Sequence, residues 1–241
     1  MFERENEKLK QIQESLNYNF NDEDLLKKAL TTPMLGKEEG IPHYEVLETL
    51  GDAVIKTILI SKKMEEGEEV LDPEIITKTK QAIENNDTLA KIAHKYFNLE
   101  KFIFKAKNQD LLGKENKILA DVFEALCGAI FFESKDLKLV DEKIIQRFYK
   151  DWNSLMDVSI FYKSQLNEYL QKKYRFNPEI KYQYESIGPE DNIYWIAKNP
   201  KILGQNKETL HDFNLKSKPF KTQKKAERYL SPKILKLLKG E

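Results

Sequence analysis

One cysteine, Cys127, is all that the 241 residues contain. No intrachain disulfide framework can form, and a reducing, cytoplasmic setting is the default expectation. Only three histidines occur, His43, His94 and His211, too scattered for zinc-ligand spacing and therefore expected to be structural or superficial. No apolar run is long enough to span a bilayer, and the opening residues MFERENEKLK are charged, without the apolar core of a secretory signal. No membrane role is expected. There is no tandem repeat or low-complexity tract. Net charge is also absent, with 40 Lys+Arg against 40 Asp+Glu, which at first sight argues against a nucleic-acid partner. What is present is 40% hydrophobic and 33% charged residues, the composition of a globular chain with a real core. The length suffices for one large domain or a domain plus a smaller one.

The zero net charge hides an asymmetry. Residues 161–241 carry 17 Lys+Arg against 9 Asp+Glu, while the preceding residues carry 23 against 31. An acidic part joined to a basic part reads as two domains with different tasks, the basic one a candidate binder of phosphate backbones.

The first ~155 residues carry helical periodicity. In NDEDLLKKAL, Asn21 is the expected N-cap, followed by acids in the first turn. Residues 43–64 form a long apolar-rich helix expected to end near Gly67. Asp72-Pro73-Glu74 starts a helix running to about Glu84, and Asp87 is the expected cap of the next. Residues 101–114 read as a loop. Helices follow from Glu115 and from Asp136. After about Ser159 the character changes. KSQLNEYLQKKY is a helix, EIKYQYES, IYWIAK and ETLHDFNLKS alternate as strands, and KTQKKAERYLSPKILKLL returns to helix, with Pro232 expected to kink or restart it. Trp195 and Tyr182, Tyr184 and Tyr194 are expected to pack inward on the helices rather than to stack on bases, and Cys127 to be a small core residue.

Two stretches carry chemistry. In HYEVLETLGDAVI, Glu45, Glu48 and Asp52 are spaced i, i+3, i+7 and so share one helical stripe among apolar neighbours. In ILADVFEALCGAIFF, Asp121 and Glu124 are spaced i, i+3 on a segment apolar nearly all round. Acids on such helices are at least partly desolvated, and each then needs a cation. Three or four residues after these acids only Lys56 qualifies, four after Asp52. The pattern alone leaves two readings open. One is a hard divalent ion held by carboxylate oxygens, as in phosphodiester hydrolysis; the other is helix caps and ion pairs across a core.

The same stretches resemble the ribonuclease III family. Its signature helix reads close to ERLEFLGDAVL where this chain has EVLETLGDAVI, and its second acidic segment close to ILADVFEALIGAIYLD where this chain has ILADVFEALCGAIFFE. YNFNDEDLLKKALTTP and NNDTLAKIA are also similar to family segments, and the likeness runs over essentially the whole chain. It implies an all-α endonuclease domain, residues 1–158, followed by a small α+β domain of α-β-β-β-α order, residues 160–241, similar to a double-stranded RNA-binding domain. It implies a magnesium-dependent endoribonuclease, with manganese as a substitute, that acts as a homodimer on double-stranded RNA. Its products would be staggered ends with 5′-phosphate and 3′-hydroxyl, and ribosomal RNA precursors are the family's commonest target.

Carried onto this chain, the resemblance makes Glu48, Asp52, Asp121 and Glu124 the metal set, with Asp52 and Glu124 also catalytic. Glu45 would position substrate and Lys117 would face the cleavage site. In the basic part, Asn167 and Glu168 would reach the minor groove, and Lys224 and Lys225 would meet phosphates. Departures from the family pattern are Val46 for Arg, Thr49 for Phe, Thr32 for His, Met34 for Ser, Asp191 for the loop His and Gln223 for one Lys. None removes a metal ligand. The rival reading, a catalytically idle RNA-binding or ribosome-associated protein of the same fold, is disfavoured by the intact carboxylates.

Overall fold

The structure, a computed structural model, describes residues 2–66, 73–107, 109, 115–156, 159–190 and 192–240. Gly67, Asp72 and Asp191 lie outside the described residues, as does part of the expected 101–114 loop. The chain divides into two units, Met1–Asp157 and Val158–Glu241.

The first unit is helical: α1 (Phe2–Leu16), α2 (Glu23–Leu30), α3 (Pro33–Glu39), α4 (Glu45–Glu65), α5 (Pro73–Ile83), α6 (Asn86–Phe97) and α7 (Glu115–Ser134). It then continues through α8 (Leu137–Val140), a π turn (Asp141–Ile145), α9 (Gln146–Tyr149) and α10 (Trp152–Leu155). α7 is the central element. Ala120, Val122, Phe123, Leu126, Cys127 and Ile130 are all buried, which is why its sequence is apolar nearly all round. Around it pack Leu26 and Leu30 of α2, Ile55 and Leu59 of α4, Phe97 of α6, and Phe148 and Trp152.

Two expected caps fall on neighbouring residues. α2 is capped by Asp22, not Asn21: Asp22 Oδ1 accepts from the amides of Asp24 and Leu25 at 3.0 and 3.2 Å. The amides of Asn21 and Asp22 instead donate to Glu133 Oε1 of α7, so the chain turns into the helix one residue later. α6 is capped by Asn85, not Asp87. Asn85 has extended backbone and accepts from the Asp87 amide at 3.1 Å, while Asp87, already helical, accepts from Asn116 of α7. Thr32, where the family has His, caps α3 through its hydroxyl. Thr49, where it has Phe, donates its hydroxyl back to the Glu45 carbonyl.

The second unit has the order α11 (Ser159–Tyr174), β1 (Glu179–Ile187), β2 (Tyr194–Leu203), β3 (Thr209–Asp212), α12 (Gln223–Lys239). The strands form one antiparallel sheet in the order β1-β2-β3, with register shifts at Lys181/Gln183 and Ile202/Leu203. The expected third strand is shorter than its alternation suggests. Past Asp212, pairing with β2 continues as the Phe213 amide on the Pro200 carbonyl and as the isolated bridges Lys198–Lys216 and Trp195–Phe220. Leu166, Leu170, Ala197, Ile202, Ala226, Leu230 and Ile234 form the core.

Pro232 neither stops nor restarts the last helix, which is assigned as one element from Gln223 to Lys239. Proline removes a single N–H donor. The turns on either side are held by burial of Leu230, Ser231, Ile234 and Leu235, and the Ser231 hydroxyl reaches the Glu227 carbonyl at 3.5 Å. That packing outweighs one lost backbone bond.

Candidate active site

α4 and α7 cross with glycine on both sides of the contact. A Cβ built on Gly51 would lie 1.7 Å from the Glu124 carbonyl oxygen, and one on Gly128 would lie 2.1 Å from that of Leu47. The backbones therefore approach as no larger residue allows. This contact sets the stripe of Glu48 and Asp52 beside that of Asp121 and Glu124.

Glu48, Asp121 and Glu124 each offer a carboxylate oxygen, and these atoms all lie within 4.8 Å of one another. Asp121 is buried at 4% exposure. Its Oδ2 accepts from the Tyr44 hydroxyl at 3.0 Å and from Lys117 Nζ at 2.7 Å. Burial, then the Asp121 charge, raises the pKa of Glu48, with Lys117 opposing. Glu124 is pushed up to about 8, first by desolvation and then by Asp52, Glu48 and Asp121, against a smaller opposing effect of Lys56. Desolvation, then Asp121, with Glu48 and Glu45 after it, raises the pKa of Tyr44.

Asp52 stands beside these three but not among them. Its Oδ2 accepts from Lys56 Nζ at 2.9 Å, and Lys56 also meets Glu84 of α5 at 3.5 Å. Glu45, at the exposed start of α4, lies 3.6 Å from His43 Nδ1.

The donors are all carboxylate oxygens, partly desolvated and mutually repelling, and two lysines flank them. Such a set suits a hard divalent cation, which would offset the burial and the mutual repulsion that raise the pKa of Glu124.

Two partners of Asp121 were not legible as such in the sequence. Lys117, expected only to face the cleavage site, lies four residues before Asp121 on the same helix and pairs with it. Tyr44 lies one residue before Glu45 in the quoted stretch, and only the fold brings its ring to Asp121, 77 positions away. Tyr44→Phe is expected to lower stability by about 1 kcal/mol, the net worth of such a bond. An unchanged urea midpoint would show that the bond contributes nothing.

In the second unit, Asn167 and Glu168 are exposed on α11, with Leu166 and Leu170 buried on its other side. Lys224 is exposed and Lys225 half-buried in the first turn of α12, which Thr222 caps by accepting from the Lys225 amide. Lys221, not singled out from sequence, hydrogen-bonds Asn192 and lies 4.3 Å from the Tyr194 ring centroid. Tyr182 packs on the core. Tyr184 remains 40% exposed, donates to Glu227 at 2.8 Å and meets Trp195 edge-on. Each histidine has its own neighbour: His43 has Glu45, His94 has Glu100 at 2.8 Å, and His211 has Tyr174 at 2.6 Å. Cys127 is fully buried and desolvation raises its thiol well above the ordinary range, so it is a core residue. Among the described residues no helix is long and apolar enough to cross a membrane.

A helical domain with a carboxylate cluster at a glycine-lined crossing, followed by an α-β-β-β-α unit, defines a nuclease architecture. The family model of the ribonuclease III domain matches residues 45–135, which span α4 to α7 and all the clustered acids. Ribonuclease 3 of Aquifex aeolicus is 31% identical over 244 residues, covering 95% of this chain and 97% of that protein. Ribonuclease 3 of Fusobacterium nucleatum is 31% identical over 219 residues, covering 86% and 92%. The crystal structure of the nuclease domain of ribonuclease III from Campylobacter jejuni superimposes with a TM-score of 0.51 at 29% identity, covering 59% of this chain and 94% of that one. The chain belongs to the ribonuclease III family and is an endoribonuclease of that type.

Proposed function

We propose that the protein is a magnesium-dependent endoribonuclease that hydrolyses double-stranded RNA in the cytoplasm and leaves staggered ends with 5′-phosphate and 3′-hydroxyl. The observation that carries this reading is the cluster of Glu48, Asp121 and Glu124 oxygens within 4.8 Å. These residues would hold the ion, for which manganese would substitute. When bound, the ion supplies Lewis-acid character and positive charge at the scissile phosphate.

The remaining roles belong to the chain's own side chains. Tyr44 and Lys117 orient Asp121 through its Oδ2. Asp52, next to Glu124, accepts a hydrogen bond from the attacking water and aligns it with the phosphorus. Glu45 and the Lys117 ammonium face the substrate. In the second domain, Asn167 and Glu168 read the minor groove while Lys224, Lys225 and the α12 N-terminus meet phosphates, a recognition of duplex shape rather than sequence. The protein works as a homodimer, each site cutting one strand. Structured precursors such as those of ribosomal RNA are the expected substrates.

Labelled duplex RNA incubated with and without magnesium tests the reading, with wild type compared against Asp52→Asn and Glu124→Gln. Wild type is expected to cut only with the metal. Asp52→Asn is expected to lose at least roughly 100-fold in rate, the usual cost of removing a group that acts in the transition state. Equal products from all three proteins would refute the assignment.

A further inference from the structure

The acids of the site come from α4 and α7, yet a third helix reaches it. Glu84, at the residue following α5, lies 3.5 Å from the Lys56 Nζ that also meets Asp52. Lys56 is thus gripped by two carboxylates from different elements, and its side chain is only 25% exposed. A lone lysine four residues after an aspartate on a surface helix contributes little and samples many rotamers. A lysine anchored at both 2.9 and 3.5 Å does not sample freely.

The two lysines at the site divide the acids between them. Lys117 serves Asp121, which belongs to the three-carboxylate group. Lys56 serves Asp52, which does not. An ammonium on Asp52 Oδ2 competes directly with any divalent ion for that oxygen, and it fixes where the carboxylate points.

Building on the metal-site reading above, we propose that Lys56, braced by Glu84, is a positioning residue that keeps Asp52 out of the metal-ligating set and aimed at the attacking water. Asp52 then serves the reaction through its orientation, and Glu48, Asp121 and Glu124 carry metal affinity.

Two measurements on the full chain test this, using wild type, Lys56→Gln, Lys56→Arg and Glu84→Gln. In the first, Mn²⁺ alone is titrated into RNA-free protein by calorimetry. Lys56→Gln is expected to bind at least roughly threefold tighter, because a positive charge has left the carboxylates and Asp52 is released to ligate. Lys56→Arg should match wild type. In the second, duplex cleavage is followed at saturating metal. Lys56→Gln should lose about 10- to 100-fold in kcat, the scale of a misplaced reacting group, with KM for the duplex held within about twofold. Glu84→Gln, which removes only the brace, should fall between, and Lys56→Arg should recover most of the rate.

Unchanged Mn²⁺ affinity in Lys56→Gln overturns the proposal, as does an unchanged kcat. A raised KM with intact kcat also overturns it, since Lys56 would then be a contact to RNA phosphate. If wild type fails to cut duplex RNA with any divalent metal, the nuclease reading falls, whereas the calorimetric comparison still decides whether Lys56 holds Asp52 from the ion.

Discussion

Glu124→Gln is expected to abolish cleavage and, at the same time, to stabilise the metal-free protein at pH 8. Activity should fall by roughly 1,000-fold or more, about 4 kcal/mol of barrier, because the residue is both a member of the three-carboxylate group and the neighbour of Asp52. The gain in stability follows from the direction of its pKa. Burial and three surrounding acids push Glu124 up to about 8, from an ordinary value of 4.5. Between those values the folded protein binds a proton that the unfolded chain does not, so stability falls as pH rises through the interval. The favourable contribution is fully present below about 4.5 and gone above about 8. Glu48 is shifted in the same direction and adds to the slope.

Glutamine keeps the shape and removes the charge. In EDTA at pH 8 the variant should gain on the order of 1–3 kcal/mol, at ~1.4 kcal/mol per pKa unit, seen as a melting temperature several degrees higher. Its stability should also change less between pH 5 and 8 than that of wild type. Divalent metal should stabilise wild type at pH 8 and have little effect on the variant. Thermal melts at pH 5, 6.5 and 8, with EDTA and with Mn²⁺, check all of this. A variant that melts below wild type at pH 8 would show that Glu124 is not held against repulsion.

Gly51→Ala is expected to damage fold and site together. The added methyl would meet the Glu124 carbonyl oxygen at 1.7 Å, the carbonyl carbon at 2.5 Å and the Gly128 amide nitrogen at 2.9 Å. These are backbone atoms of a central buried helix, and no side-chain rotamer relieves the overlap. α4 and α7 must part by an ångström or more, at a cost of about 3 kcal/mol or above, toward the upper end for overpacking. Glu48 and Asp52 would then draw away from Asp121 and Glu124. A displacement of that size costs about 100-fold in rate by itself, so activity should be lost even where the protein stays folded. Urea denaturation and Mn²⁺ calorimetry separate the two losses. Wild-type Mn²⁺ affinity in a folded Gly51→Ala protein would mean that the helix crossing does not set the cluster. Gly128→Ala meets the Leu47 carbonyl from the other helix and should behave alike.

Periodicity carried the helices and strands because burial of one face is written into spacing: the middle of α7 is apolar nearly all round and buried nearly all round. Spacing also put Glu48 with Asp52, and Asp121 with Glu124, on shared stripes, since i, i+3 and i+4 neighbours align on any α-helix. Caps were legible only to within a residue or two. Asn21-Asp22 and Asn85-Asn86-Asp87 offer several competent side chains, and the winner depends on where the backbone turns, which Glu133 and Asn116 of α7 help to set. No restart follows Pro232: local propensity counts a lost N–H but not the buried leucine and isoleucine on either side.

By itself, then, the sequence determined which residues share a helical face, that two acidic stripes sit on buried helices, and that an acidic helical part precedes a basic α-β-β-β-α part. Only the tertiary structure decided which acids meet. Three converge and Asp52 stands apart on Lys56, because the distance between stripes on different helices is set by the glycine crossing and not by any spacing along the chain. It likewise decided that Tyr44 and Lys117 share one oxygen of Asp121 and that Glu84 braces Lys56, contacts that exist only when packed helices bring remote side chains to the same few ångströms.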